Sequence, residues 1–206
     1  MPKIFISYRR EDAPDSAGRL YDSLKAHFGE GAVFLDVEDL GPGLPFLQAI
    51  TYELSQCTVL LAVIGPHWLN TAKATAGSDV DGPGEYVEHE IGQALSMTVL
   101  VVPVLVRDAE MPRSDKLPRS IRRLADLNAV SLRHAMWKMD VATLCQKIEP
   151  IVQLERRVIA WADRHGISDP YNMGRKNYEH CLFELGHPRG TEHGLEYDEF
   201  GHLIYQ

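Results

Sequence analysis

Thr58-Val59-Leu60-Leu61-Ala62-Val63-Ile64 is apolar at every position after its first residue, and Gly65-Pro66 ends it abruptly. A strand with one wet face alternates apolar and polar residues. A run without alternation is buried on both faces, as in a parallel sheet covered by helices on either side. Working outward, Thr98 to Val106 repeats the pattern, and Lys3-Ile4-Phe5-Ile6-Ser7 and Ala32-Val33-Phe34-Leu35 are shorter apolar runs. Ala129-Val130-Ser131-Leu132 is a weaker fifth strand.

Helical periods fill the gaps. Ala17, Leu20, Tyr21, Leu24 and Phe28 form one stripe, punctuated by Gly29 and Gly31. It follows a polar turn from Tyr8 to Asp15. Phe46, Ile50 and Leu54 share a face of a short helix, and Val87, Ile91, Ala94 and Leu95 mark another after a polar loop over 70–84. Asp140 is expected to open a helix through Leu144, Ile148 and Ile151 that continues past Trp161 until Gly166 stops it. Strand and helix alternate, which predicts an α/β fold with a doubly wound parallel sheet. The pattern lapses after Gln153, so residues 1–153 read as the domain and 154–206 as a helical and irregular extension with little core of its own, free to dock on the domain or on a partner.

The chain has 206 residues, 45% hydrophobic and 24% charged, a globular balance. Its net charge of −8 opposes broad binding to nucleic acid or anionic membranes, because a phosphate lattice requires a basic face. No apolar run reaches the ~20 residues of a membrane span. The strand-like start at Lys3 leaves no room for a signal peptide, and three scattered cysteines (Cys57, Cys145, Cys181) suggest a reducing, cytoplasmic setting.

Ligands of an open parallel sheet gather beyond the carboxyl ends of its strands. Four segments converge there: 7–12, 36–45, 65–84 and the start of the helix bearing Glu90. Arg9 and Arg10 carry guanidinium forks suited to phosphate or ribose, though paired arginines are as often solvated. Asp36 closes the second strand, and Asp39-Leu40-Gly41-Pro42-Gly43 is a lid, an assembly contact or a plain connector. Glu90 lies at the border of the apolar stripe, partly desolvated, with Tyr86 one turn earlier and Glu88 on the stripe's other flank. His180, Cys181, His187 and His193 match no zinc template, so no metal is expected. Trp68 and Trp137 read as packing residues.

Phe5-Ile6-Ser7-Tyr8-Arg9-Arg10-Glu11-Asp12, Val33-Phe34-Leu35-Asp36, Leu40-Gly41-Pro42-Gly43 and Tyr86-Val87-Glu88-His89-Glu90-Ile91 together resemble the Toll/interleukin-receptor/resistance (TIR) family, its bacterial members above all. The resemblance covers residues 1–150 and implies a flavodoxin-like fold with five parallel strands. It makes 37–45 the family's BB loop, which gates the pocket and makes assembly contacts. Many members cleave NAD and share an aromatic-x-x-x-Glu motif, which implies that Glu90 is the catalytic glutamate and that Tyr86 replaces the usual Trp. It implies further that Tyr8, Arg9, Arg10, Asp36 and Phe46 border the nucleotide.

NAD is then the substrate, no cofactor is required, and self-association completes the site. Two other readings remain open from the sequence: a non-enzymatic adaptor working by homotypic assembly, and an enzyme like the nucleoside deoxyribosyltransferases.

Overall fold

Residues alternating along a strand point to opposite faces of its sheet, and both faces here are apolar. In β1 (Lys3–Tyr8), Ile4 and Ile6 face one side and Phe5 and Ser7 the other, all nearly inaccessible. The computed structural model describes residues 3–35, 46–69, 83–97, 99–170, 173, 175–186, 195–197 and 203–205. Among them, β1 is joined by β2 (Val33–Leu35), β3 (Cys57–Ile64), β4 (Leu100–Val106) and β5 (Val130–Leu132). All pair in parallel, in the order β2-β1-β3-β4-β5. The flavodoxin-like fold is as expected. β3, the apolar run, is buried at every position.

Helix α1 (Pro14–Phe28) and the long α4 (Trp137–Arg164) cover one face, burying Leu20, Leu24, Leu144 and Ile148 against Ile4, Ile6, Leu61 and Val63. On the other face α2 (Phe46–Ser55) and α3 (Pro83–Ser96) bring Leu54, Val87, Ile91 and Ala94 against Phe5, Leu60, Ala62 and Ile64. Short helical turns at Ser114–Lys116 and Arg119–Asp126 close this layer with Leu117, Ile121 and Leu124.

Two boundaries differ from the sequence reading. α1 starts at Pro14, because proline's missing N–H and fixed φ suit a helix's first position. α4 starts at Trp137 rather than Asp140. Trp137 is buried against the core, and Asp140 binds back to the strand exit, accepting the Arg133 backbone N–H at 2.8 Å and its guanidinium at 2.6 and 3.0 Å. As the period predicts, α4 runs on through Gln153 and past Trp161, carrying Pro150 inside it, so residues on both sides of position 153 share one helix.

The extension has a small core after all. Val158, Trp161 and Ala162 of α4 pack with Met173, Cys181 and Leu182, the last two from α5 (Arg175–Glu184). A hairpin, β6 (Leu195–Tyr197) antiparallel to β7 (Leu203–Tyr205), follows. Among the described residues no helix is long and apolar enough to cross a membrane.

Candidate active site

The strand order reverses direction between β1 and β3, since the chain leaves β1 for β2 and then crosses to β3. Sheets of this kind usually bind ligands beyond the carboxyl ends of the strands at such a reversal. Ser7 lies in register with Ala62 near this end and points to the α3 side. Its hydroxyl donates to Glu90 Oε2 at 2.6 Å, across 83 residues of sequence. Glu90 is 3% exposed and Ser7 2%. Stripe arithmetic places Glu90 at a partly hydrated border, but β1 closes over it. The side chain sits in the eighth position of α3, beyond the first turn where the helix dipole acts strongly.

Arg9, two residues beyond Ser7 on the same side, is buried at 3% exposure. Its guanidinium lies over the Trp68 ring, 4.9 Å from the centroid. Burial lowers its pKa from the ordinary arginine value, opposed by the carboxylates of Glu11, Glu88 and Asp12. A cation held out of water beside an aromatic face interacts strongly with any anion that reaches it.

Asp12 ties the rim together. Its carboxylate accepts the backbone N–H of Gly65 at 2.7 Å and of His67 at 2.9 Å, joining the turn after β1 to the turn after β3. Trp68 follows directly and donates its own N–H to the Gly65 carbonyl at 3.3 Å. From the exit of β4, Arg107 donates to the Asp12 carbonyl at 2.9 Å and pairs with Asp15. Arg107 and Asp108 hold left-handed backbone, φ 55° and 57°, which places this turn against the rim at a cost in strain.

The model of the TIR domain matches residues 4–148, more than half of the chain. This chain belongs to the TIR domain family. Among curated proteins it is similar to "NAD(+) hydrolase sarm1" of Drosophila melanogaster, 27% identical over 179 residues. That match takes in 85% of this chain but only 12% of the relative. Among solved structures it is similar to the TIR domains of the activated Roq1 resistosome that directly recognizes the pathogen effector XopQ. The TM-score there is 0.53 at 14% identity, over 72% of this chain and 99% of the other, a likeness of fold.

Of the residues that TIR resemblance nominates, the fold gathers Glu90 and Arg9 on one side of the sheet. Tyr8 alternates to the other face, where it packs against the α1 and α4 core. Arg10 is exposed on the turn after β1. Asp36 and the BB loop residues Asp39, Leu40, Gly41, Pro42 and Gly43 lie outside the described residues, as do the side chains of Phe46 and Tyr86. Glu88, the competing carboxylate, accepts a hydrogen bond from Ser120. It lines a pocket of about 540 Å³ with His89, Gly92, Gln93, Ser96 and Ser120 on the outward side of α3, apart from Glu90.

Sequence reasoning made Gly65 a strand stop and set Ser7 and Asp12 in a segment at the ligand edge, but gave none of the three a contact in the site. Their signals were a hydroxyl in an apolar strand, an acid in the first turn after it, and a glycine at a strand's end. Among the described residues no three His, Cys, Asp or Glu side chains converge as metal ligands. His180 instead pairs with Glu184 at 3.3 Å, and Cys181 is buried. His187 and His193 lie outside the described residues.

Proposed function

We propose that this TIR domain cleaves NAD at its nicotinamide–ribose bond, with Glu90 as the catalytic carboxylate. The observation that carries the reading is a glutamate buried at the switch point of the sheet and oriented by Ser7, with a desolvated arginine on the same side. The relative named as an NAD(+) hydrolase supports it, although this chain spans only 12% of that protein's length.

The chemistry suits these groups. Nicotinamide leaves with the electrons of the C–N bond as a neutral base, and positive charge builds on the ribose ring. A fixed carboxylate facing the ribose stabilises that charge and grips the sugar hydroxyls, so no strong nucleophile is needed. Arg9 takes the pyrophosphate, with Arg10, Asp36, Phe46 and Tyr86 completing the nucleotide contacts. Water adding to the anomeric carbon, with loss of a proton, yields ADP-ribose. Attack by the substrate's own adenine yields a cyclic isomer.

Activity depends on self-association, a reading supported by the assembled TIR domains of the resistosome that this fold resembles. The biological setting that follows is bacterial antiphage defence or immune signalling through NAD consumption.

The test is nicotinamide release by concentrated wild-type protein and by Glu90→Gln, which keeps shape and removes charge. Loss of one electrostatic stabiliser of a transition state costs about 10²–10³ in kcat. A Glu90→Gln protein at wild-type turnover removes Glu90 from catalysis. A wild-type protein that assembles and releases no nicotinamide refutes the NAD-cleaving reading and leaves the adaptor and the deoxyribosyltransferase-like enzyme.

A further inference from the structure

We propose that Ser7 is a positioning residue for the candidate catalytic carboxylate, holding Glu90 in the one orientation that meets the ribose. The inference rests on the NAD-cleaving reading and adds to it a residue from the opposite wall of the site.

The argument begins with cost. On the α3 side of the sheet Ser7 is surrounded in sequence and register by Phe5, Ala62 and Ile64, all 1% exposed. A hydroxyl buried in such a layer is unfavourable unless it is hydrogen-bonded, and a buried carboxylate is more so. An apolar pair at these two positions would ordinarily be at least as stable as the hydroxyl and the charge. Packing therefore does not explain why both polar groups stand here. Their place does, since they meet at the carboxyl end of β1 where the strand order reverses.

Next comes geometry. Glu90 hangs from α3 by three rotatable bonds, and an unanchored carboxylate samples several rotamers. A 2.6 Å hydrogen bond to Oε2 from a residue held in the β1–β3 ladder restricts that freedom. Ser7 pairs with Ala62 of β3, and its neighbour Ile6 also pairs with Leu35 of β2, so the backbone that carries the hydroxyl is fixed in the sheet while the helix carries the reacting group. An electrostatic stabiliser acts best when it needs no reorganisation at the moment of reaction. Ser7 supplies that preorganisation without itself touching the substrate.

The test compares Ser7→Ala, Ser7→Cys and Ser7→Thr with wild type and Glu90→Gln, measuring nicotinamide release under conditions of equal assembly, with thermal melting to establish folding. Cysteine matches serine closely in size but donates weakly; threonine keeps the hydroxyl. The expected result is a fall in kcat of about 10- to 100-fold for Ser7→Ala and Ser7→Cys with KM within about threefold of wild type. Ser7→Thr should recover most of the loss. A packing role would instead leave Ser7→Cys at wild-type kcat.

Wild-type kcat in either Ser7→Ala or Ser7→Cys, with Glu90→Gln inactive, overturns the positioning role and leaves Glu90 catalytic. An active Glu90→Gln overturns the reading beneath it. If Ser7→Ala does not fold, Ser7→Cys decides alone.

Discussion

Replacing Gly65 with alanine strikes the contact that joins the two strand ends of the site. A Cβ at this position would lie 2.6 Å from both carboxylate oxygens of Asp12 and 2.8 Å from its Cγ. The backbone there has no left-handed φ, so alanine is not refused by conformation; the collision with Asp12 is the whole effect. Asp12 is 2% exposed and cannot retreat without abandoning the N–H groups of Gly65 and His67. A hydrogen bond to a charged group contributes about 1.5–3 kcal/mol, and a partial shift weakens two of them, which puts the cost of Gly65→Ala at about 3 kcal/mol. For a chain of this size that lowers the melting temperature by about 6–12 °C.

The decisive assay is a double-mutant cycle by urea unfolding. Asp12→Ala alone leaves the buried Gly65 N–H and the part-buried His67 N–H without their acceptor and should cost about 2–4 kcal/mol. With the carboxylate gone the new methyl has room, so adding Gly65→Ala to Asp12→Ala should cost under about 1 kcal/mol. The coupling is then about 2 kcal/mol or more, well above the ~0.5 kcal/mol scatter of independent sites. Additive costs within that scatter would refute the claim that the glycine is there to admit the carboxylate.

Two pH effects follow from charges elsewhere in the fold. Burial pushes the Glu155 carboxyl from 4.5 up to about 7. The folded chain thus holds a proton that the unfolded chain releases, and stability falls as pH rises from about 4.5 to about 7, by about 3 kcal/mol. Glu155→Gln should match wild type at pH 4 and exceed it above pH 7, read from urea midpoints. Asp140 behaves oppositely, because its hydrogen bonds from Arg133 hold its carboxyl below the usual 3.8. That contribution is present above the unfolded pKa and is lost as pH falls through the lower folded one. The stability gap between wild type and Arg133→Ala should therefore be full at pH 6 and close in acid, followed by circular dichroism.

What the sequence discloses and what it withholds divide along a physical line. β3 was legible because seven consecutive positions from Thr58 to Ile64 contain no polar residue after the first, and the short length and the Gly65-Pro66 stop favour a doubly covered strand over a buried helix. Glu90 was legible as a stripe-border residue because helical period is local. Its burial was not, since the side chain that closes over it comes from β1, 83 positions away. The sequence marks Trp137 as packing but points to Asp140 as the helix start, because a cap-forming acid is a strong local signal. The fold uses that acid to bind Arg133 instead. Asp12 and Gly65 carried no period at all, and their meaning lies in a contact between two turns. One rule would have recovered part of this. A buried hydroxyl needs a partner, and Ser7 ends an apolar strand whose alternate face meets the helix stripe that Glu90 borders. Pairing the polar misfits of facing apolar surfaces links Ser7 to Glu90 before any coordinates exist, and it finds the site by the same cost that makes the pair unlikely to be there for stability alone.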